Sequence, residues 1–342
     1  MSEEEKAVKQ KKRKKLFLEL LFVAVVVLLA YFMLRGSWES IWLELRHTSW
    51  QVIVSVLLCS VLYNCFDGIA VAKLVRRENP DFAYYKGILC SFYYSFFRVI
   101  TFGGGTAAAG MYYVSRDKIP VTRSLGIFTL NYTIQRITVC LYFIISFFIN
   151  YRAMHGYYAS YTKTMILGVA LAFVVAAVLI LACTSERLHH VVFSAAGRWI
   201  HKKKYIDKLQ KLKEKSALVR EEARQILKNK KLLAQVLFLN VLKLSAWYLI
   251  PVLTFHETGD SQETALIMSV TAMVVALAGV IPAPGGIGAV EFVFTLFFTP
   301  VAGRVASASG MLIYRFSTYI FPCLLGLAVV IRTQLIKKKR KR

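Results

Sequence analysis

Long apolar runs separated by short basic ones dominate this chain, and their lengths predict an all-α polytopic membrane protein. A helix needs about 20 apolar residues to cross a bilayer. Residues 16–34, 50–72, 124–149, 164–183, 232–254 and 309–331 meet that length, giving about six full spans. The first run is longer than the apolar part of a secretory signal and no small-residue cleavage site follows it, so it reads as an uncleaved span. Two other apolar stretches are interrupted. Residues 87–114 turn at Gly103-Gly104-Gly105, and residues 263–306 turn at Pro284-Gly285-Gly286. Irregular backbone is tolerated in hydrocarbon only where it packs inside protein or lines a polar cavity.

Charge placement orients these segments. The formal net charge is +25, and of the 44 Lys and Arg residues 35 fall at the N-terminus to Lys15, in 73–86, 115–123 and 186–231, and from Arg332 onward. Basic loops collect on the cytoplasmic side. With 73–86 and 115–123 both inside, the intervening stretch is too short for two complete helices, so it enters from the cytoplasm, turns and leaves on the same side. By the same parity residues 263–306 begin and end outside. Interrupted segments entering from opposite faces suggest inverted-topology repeats, with a substrate site near the midplane. Two unrelated kinked helices are the plainer alternative. The expected organisation is a basic cytoplasmic N-terminus (1–15), a first membrane half (16–183), a basic cytoplasmic segment (184–231), a second membrane half (232–333) and a basic cytoplasmic tail (334–342).

The basic segment 186–231 carries 14 Lys and Arg against five acids. Ile206, Leu209, Leu212, Val219, Ala223, Ile226 and Leu227 recur in it at helical spacing. Such an amphipathic helix suits an anionic membrane surface; a charged connector, or a dock for a separate synthase, fits equally. Basic residues confined to loops between spans argue against a direct nucleic-acid partner. A homo-oligomer is left open.

Little points to reaction chemistry. The six cysteines lie singly within apolar segments, and no histidine sits at metal-ligand spacing, so neither a disulfide framework nor a metal site is expected. Without a phosphate-binding loop or a nucleophile–base pair, no cofactor and no catalytic residue is expected, and an ATP-driven pump is disfavoured.

The informative polar residues are charges within the apolar segments: Asp67, Arg98, Arg136, Lys243, Glu291 and Arg315. A charge at the bilayer centre costs about 2.5–3.5 kcal/mol on insertion scales, so each should face inward and find a partner. One reading is that Asp67 or Glu291 pairs with an arginine merely to fix helix packing. The functional reading is an anionic lipid headgroup held by Arg98, Arg136 and Arg315, whose planar forks bind phosphate in bidentate fashion. Helix N-termini after each glycine break would add N–H donors. Asp67 and Glu291 would then neutralise the arginines between lipids, or hold a cationic headgroup. Lys243 has no clear assignment beyond snorkelling or lining the cavity.

At these residues the chain resembles the membrane region of the lysylphosphatidylglycerol synthase/flippase family. The resemblance rests on Arg98-Val99-Ile100-Thr101-Phe102-Gly103-Gly104-Gly105, on Arg136, on Pro282-Ala283-Pro284-Gly285-Gly286-Ile287-Gly288-Ala289-Val290-Glu291 and on Tyr314-Arg315, and covers nearly all of residues 10–335. It implies a lipid flippase or scramblase of the cell membrane. Such a protein carries lysylphosphatidylglycerol, or a related phospholipid, to the outer leaflet and lessens the attraction of cationic antimicrobial peptides. It implies substrate-binding roles for Asp67, Arg98, Gly103, Gly104, Gly105, Arg136, Pro284, Gly285, Gly286, Glu291, Tyr314 and Arg315. Full-length members also carry a cytoplasmic domain that transfers lysine from lysyl-tRNA to phosphatidylglycerol. This chain ends at Arg342, so the expectation is the transport half, with lysyltransferase activity or partnership with a separate synthase as the alternatives.

Overall fold

The computed structural model describes residues 48–158, 162–184, 228–257, 264–281 and 286–339, together with 221, 224, 225 and 283. The chain divides into two compact units between His47 and Thr48, and all described residues belong to the second. The expected span at 16–34 and nearly all of the basic segment 186–231 lie outside them.

The described residues are helical throughout, with no strand. The first half comprises α1 (Trp50–Val75), α2 (Tyr84–Ile100), α3 (Thr106–Ser115), α4 (Val121–Ile149), α5 (Tyr151–Tyr158) and α6 (Thr162–Thr184). The second comprises α7 (Lys230–Glu257), α8 (Thr264–Ala278), α9 (Ala289–Ala302), α10 (Arg304–Arg315), a π turn (Phe316–Ile320) and α11 (Phe321–Lys339). Among the described residues, four helical stretches are long and apolar enough to cross a membrane: Trp50–Val75, Arg123–Ile149, Lys230–His256 and the composite Arg304–Leu335. Shorter apolar stretches run Ile166–Leu181, Thr264–Ala278 and Ala289–Ala302. Val54, Leu58 and Leu62 form an exposed stripe down α1 at a spacing of one helical turn, and apolar faces of this kind are stable in lipid rather than in water.

Two expectations need correction. The residues after Ile149, which the expected spans 124–149 and 164–183 leave as a plain connection, instead form α5, whose Tyr158 hydroxyl donates to the Phe297 carbonyl of α9. The last span begins at Arg304 rather than 309, because Gly303, with φ of 80°, separates it from α9. Helix α11 runs on to Lys339, into the expected basic tail.

Both breaks are built by local chemistry. Phe102 (φ 51°) and Gly103 (φ 87°) end α2 in the left-handed region. The Gly103 N–H returns to the Arg98 carbonyl at 2.7 Å and that of Phe102 to Val99 at 3.3 Å, the pairing that closes a helix C-terminus in a Schellman motif. At the second break Gly288, with φ of 82°, precedes α9. The Glu291 carboxylate reaches back to accept its N–H at 2.7 Å, which satisfies one of the otherwise unpaired first-turn donors.

The halves pack as an inverted repeat. Helices α1 and α7 cross antiparallel, as the contacts Tyr63–Trp247, Asp67–Lys243 and Lys73–Gln235 require. Around them α1 packs on α2 as α7 does on α8, and α2 on α3 as α8 on α9. Likewise α3 packs on α4 as α9 does on α10, and α2 on α11 as α4 on α8. A shift of 181 residues carries Gly103–Gly105 onto positions 284–286. The same shift converts the Arg98–Thr318 contact of α2 with the π turn into the neighbourhood of Gly279 and Ile137, where α8 meets α4.

Close helix approach depends on missing side chains. A Cβ on Gly68 or Gly87 would enter the backbone of the other helix at the α1–α2 crossing, and one on Gly326 would meet the Phe92 carbonyl of α2. Small residues allow this contact where no hydrophobic force drives association. At the α1–α7 crossing, Lys243 and Asp67 form an ion pair at 2.8 Å, with side-chain exposures of 0% and 5%. The Ser91 hydroxyl donates to Asp67 at 3.0 Å, and the Tyr94 hydroxyl also donates to it. The ammonium lies 5.5 Å from the centre of the Tyr63 ring.

Two outcomes follow for stability. Gly326→Leu should cost about 1–3 kcal/mol by overpacking and lower the melting temperature in detergent, whereas Leu324→Val, on the same helix but 54% exposed, should leave it unchanged. Lys243→Met alone should cost about 3–5 kcal/mol by stranding Asp67, and adding Asp67→Asn should recover much of that loss. The melting temperatures of the two single variants and the double variant measure the coupling.

Candidate functional site

The second break and the last long helix meet at one arginine. Arg315, ending α10, donates from Nε to Glu291 Oε1 at 2.7 Å and from Nη2 to Oε2 at 2.7 Å. The same Nη2 donates to the Gly286 carbonyl at 2.6 Å. Two parallel charge-assisted bonds fix orientation as well as energy. Glu291 can serve Arg315 and Gly288 together because it sits in the first turn of α9, where the helix dipole also favours a carboxylate. It remains 30% exposed, against 12% for Arg315.

The first break reaches the same place. Arg98 lies in the last turn of α2, and its Nη2 donates to the Thr318 carbonyl at 2.8 Å. Thr318 belongs to the π turn, where the α-helical ladder is interrupted; such turns are frequent at functional sites. The hydroxyls of Ser317 and Thr318 bond back to the carbonyls of Ile313 and Tyr314 there. Tyr319 joins the two arginines: its ring centre lies 5.6 Å from the Arg98 guanidinium carbon and 5.4 Å from that of Arg315. Both cations are therefore held against one aromatic ring.

The electrostatics are unequal. Arg315 is neutralised by Glu291, whereas no ion pair reaches Arg98 among the described residues. Arg98, Arg315 and Glu291 together carry one net positive charge. Arg98 Nε and the Tyr319 hydroxyl are, in addition, buried without a hydrogen-bond partner. Buried donors left unmatched are uncommon and each carries a desolvation cost of about 1–3 kcal/mol. A single anion with several acceptor oxygens would match both the charge and the donors.

The structure brings together Arg98, Gly286, Glu291 and Arg315 among the candidates from the sequence. Gly103 and Gly104 lie exposed in the turn beyond Arg98, and the Gly105 N–H donates to the Thr101 hydroxyl at 2.7 Å. Pro284 and Gly285 lie outside the described residues. Tyr314 is buried in the aromatic core, 5.2 Å from Phe294 and 6.4 Å from Trp247 between ring centres. Asp67 is enclosed in its pair with Lys243. Arg136 is elsewhere: its Nε donates to the Tyr132 hydroxyl at 3.0 Å and its guanidinium abuts Gly279.

Sequence reasoning missed Tyr319, Thr318 and the Lys243 partnership. The π turn leaves no mark in composition. Lys243, however, was the one intramembrane cation without an assignment and Asp67 the acid that Arg315 does not take, so opposite charge on two spans could have paired them.

The comparisons place this geometry in a family. The family model described as the lysylphosphatidylglycerol synthase TM region matches residues 17–326, which include both breaks, the central α1–α7 crossing and the π turn. No curated protein matches the chain. With a match that spans most of its length, the chain belongs to the family of the lysylphosphatidylglycerol synthase transmembrane region.

Proposed function

We propose that this chain moves an anionic or aminoacylated glycerophospholipid between leaflets without ATP, with Arg98, Arg315 and Tyr319 receiving the headgroup phosphate. The reading extends to lysylphosphatidylglycerol through the family, and to lower affinity of the cell surface for cationic peptides. It sets the protein in the plasma membrane with its termini cytoplasmic, in keeping with the basic residues at both ends.

The observation that carries the proposal is Arg98. Among the described residues it is a guanidinium without a carboxylate, beside an arginine that has one, with two unmatched buried donors around it. A phosphodiester brings one negative charge and several acceptor oxygens to that place. Glu291 holds Arg315 in position and, being partly exposed, offers a carboxylate to the ammonium of an aminoacylated headgroup. Because the donors sit between two broken segments of opposite sense, small movements of either segment would change which side the headgroup reaches.

Reconstituted protein should let an external reductant bleach fluorescent phosphatidylglycerol from the inner leaflet of vesicles. Arg98→Ala should slow that exchange by about 10- to 150-fold, the loss of charge-assisted hydrogen bonds being worth about 1.5–3 kcal/mol. Arg98→Lys should retain part of the rate, and Tyr319→Phe should slow it less than Arg98→Ala. Exchange by Arg98→Ala at the wild-type rate, with equal protein incorporated, contradicts the proposal.

A further inference from the structure

The Asp67–Lys243 pair at the α1–α7 crossing takes no part in the site at Tyr319, and its two halves are built unequally. Asn64-Cys65-Phe66-Asp67 of α1 stands 176 positions before Asn240-Val241-Leu242-Lys243 of α7. Matching residues of the two halves therefore meet in this pair, which lies on the axis that relates the repeats. Each asparagine amide donates to the carbonyl four residues back, on Ser60 and on Val236, at 2.9 Å. There the likeness ends. Asn64 Oδ1 accepts from the hydroxyls of Ser91 at 3.3 Å and Ser95 at 3.0 Å, whereas Asn240 Oδ1 is buried without a donor. Shifted by 181 residues, Ser91, Tyr94 and Ser95 of α2 become Ala272, Val275 and Ala276 of α8, which bring no hydroxyl.

The two ions are held differently as a result. Asp67 accepts from Lys243, Ser91 and Tyr94, and keeps two hydroxyl donors if the ammonium withdraws. Lys243 is fully buried, and among the described residues Asp67 is the one hydrogen-bond acceptor for its three N–H groups. An ammonium parted from Asp67 would stand uncompensated in apolar surroundings, where a buried ion gives up its charge rather than stay unpaired. A helical side chain leans over the preceding turn, so the resulting amine would lie on the same face as Asn240, whose unmatched oxygen can accept an N–H from it. Among the described residues, Tyr63 of α1 and Cys90 and Tyr94 of α2 are the titratable groups that face the pair, and α8 carries none. Arg136 and Tyr142 of α4 are engaged with Tyr132 and Ser245, and Tyr314 and Arg315 of α10 with Trp247 and Glu291. Tyr319 of the π turn and Cys323 of α11 lie toward Arg98.

We infer that Asp67 and Lys243 form a proton-binding site on the repeat axis, loaded while α1 and α7 are closed together and emptied from Lys243 when they part. The step moves one proton. An N–H bond of the ammonium breaks, the proton passes to solvent, the amine keeps the electron pair and Asp67 remains a carboxylate. Closing reverses it. Proton binding and closure favour each other reciprocally, so acid holds the crossing shut and base opens it, and a proton gradient across the membrane can drive the change. The site stands apart from the proposed lipid transport, to which it would add an energy source.

The test is the distance between spin labels on Leu58→Cys of α1 and Phe238→Cys of α7, both exposed, in an otherwise cysteine-free full chain. Double electron–electron resonance is recorded in detergent over a pH series. No lipid movement is measured, so a failure here and a failure of the lipid-exchange assay are separate results. A second distance is expected to grow in as the pH rises, the ratio of open to closed chain increasing about tenfold per pH unit, the slope of a single proton. Lys243→Arg keeps a cation opposite Asp67 but does not deprotonate, and should hold the closed distance at every pH. The double variant Asp67→Asn/Lys243→Met should show one pH-independent distribution, and it decides the matter if Lys243→Arg fails to fold. A single distance at every pH in the unmodified pair, or a second distance that grows on acidification, would overturn the inference. So would a pH response that survives in Lys243→Arg or in the double variant.

Discussion

Hydrocarbon solvates neither an interrupted helix nor a side-chain charge, so each interruption in this chain has to be closed by the protein itself. The Glu291 carboxylate is where that demand is met most densely. It caps the first turn of α9 through Gly288 and holds one edge of Arg315 through Nε and Nη2, and Arg315 in turn binds the carbonyl of Gly286. One side chain thereby ties the second break to the last long helix. Without it, the unpaired N–H and carbonyl groups of the break and the arginine charge would all face an apolar surround.

That closure determines where reactivity toward a ligand remains. Asp67 and Lys243 cancel each other at the centre of the fold, with Ser91 and Tyr94 completing the carboxylate's bonds. Glu291 and Arg315 cancel at the second break. The π turn then presents the Thr318 carbonyl and the Tyr319 ring to Arg98, enough to hold the guanidinium but not to neutralise it. The residual positive charge is thus a consequence of how the pairs are distributed. It lies where the two broken segments converge, which is where the proposed function seats a charged headgroup.

Much of the fold was legible in the sequence because it rests on length and periodicity. The runs 50–72, 124–149 and 232–254 appear as α1, α4 and α7 with small shifts at their ends. Gly103 and Gly286 mark breaks because only backbone with positive φ turns there, and both adopt it. The antiparallel crossing of α1 and α7 was not readable, since it depends on which spans touch. The same holds for the pairing of Asp67 with Lys243 rather than with an arginine, and for the separation of Arg136 from Arg98. Helix α5 was hidden because Tyr-rich sequence beside Ile149 suits an interfacial loop as well as a short helix. Tyr319 escaped notice because an aromatic residue in an apolar span is usually core, and only the π turn brings it between two arginines.

The central claim is that two interrupted segments approach one interior site from opposite sides of the membrane. Single cysteines at Phe102 and Ile287, both exposed beside the breaks, test it most directly in a cysteine-free background. The chain is reconstituted in one orientation and challenged with a membrane-impermeant maleimide. The account predicts that Phe102→Cys reacts only from the side of the basic loops and Ile287→Cys only from the other. Reaction of both from the same side, or of neither from any side, would contradict it.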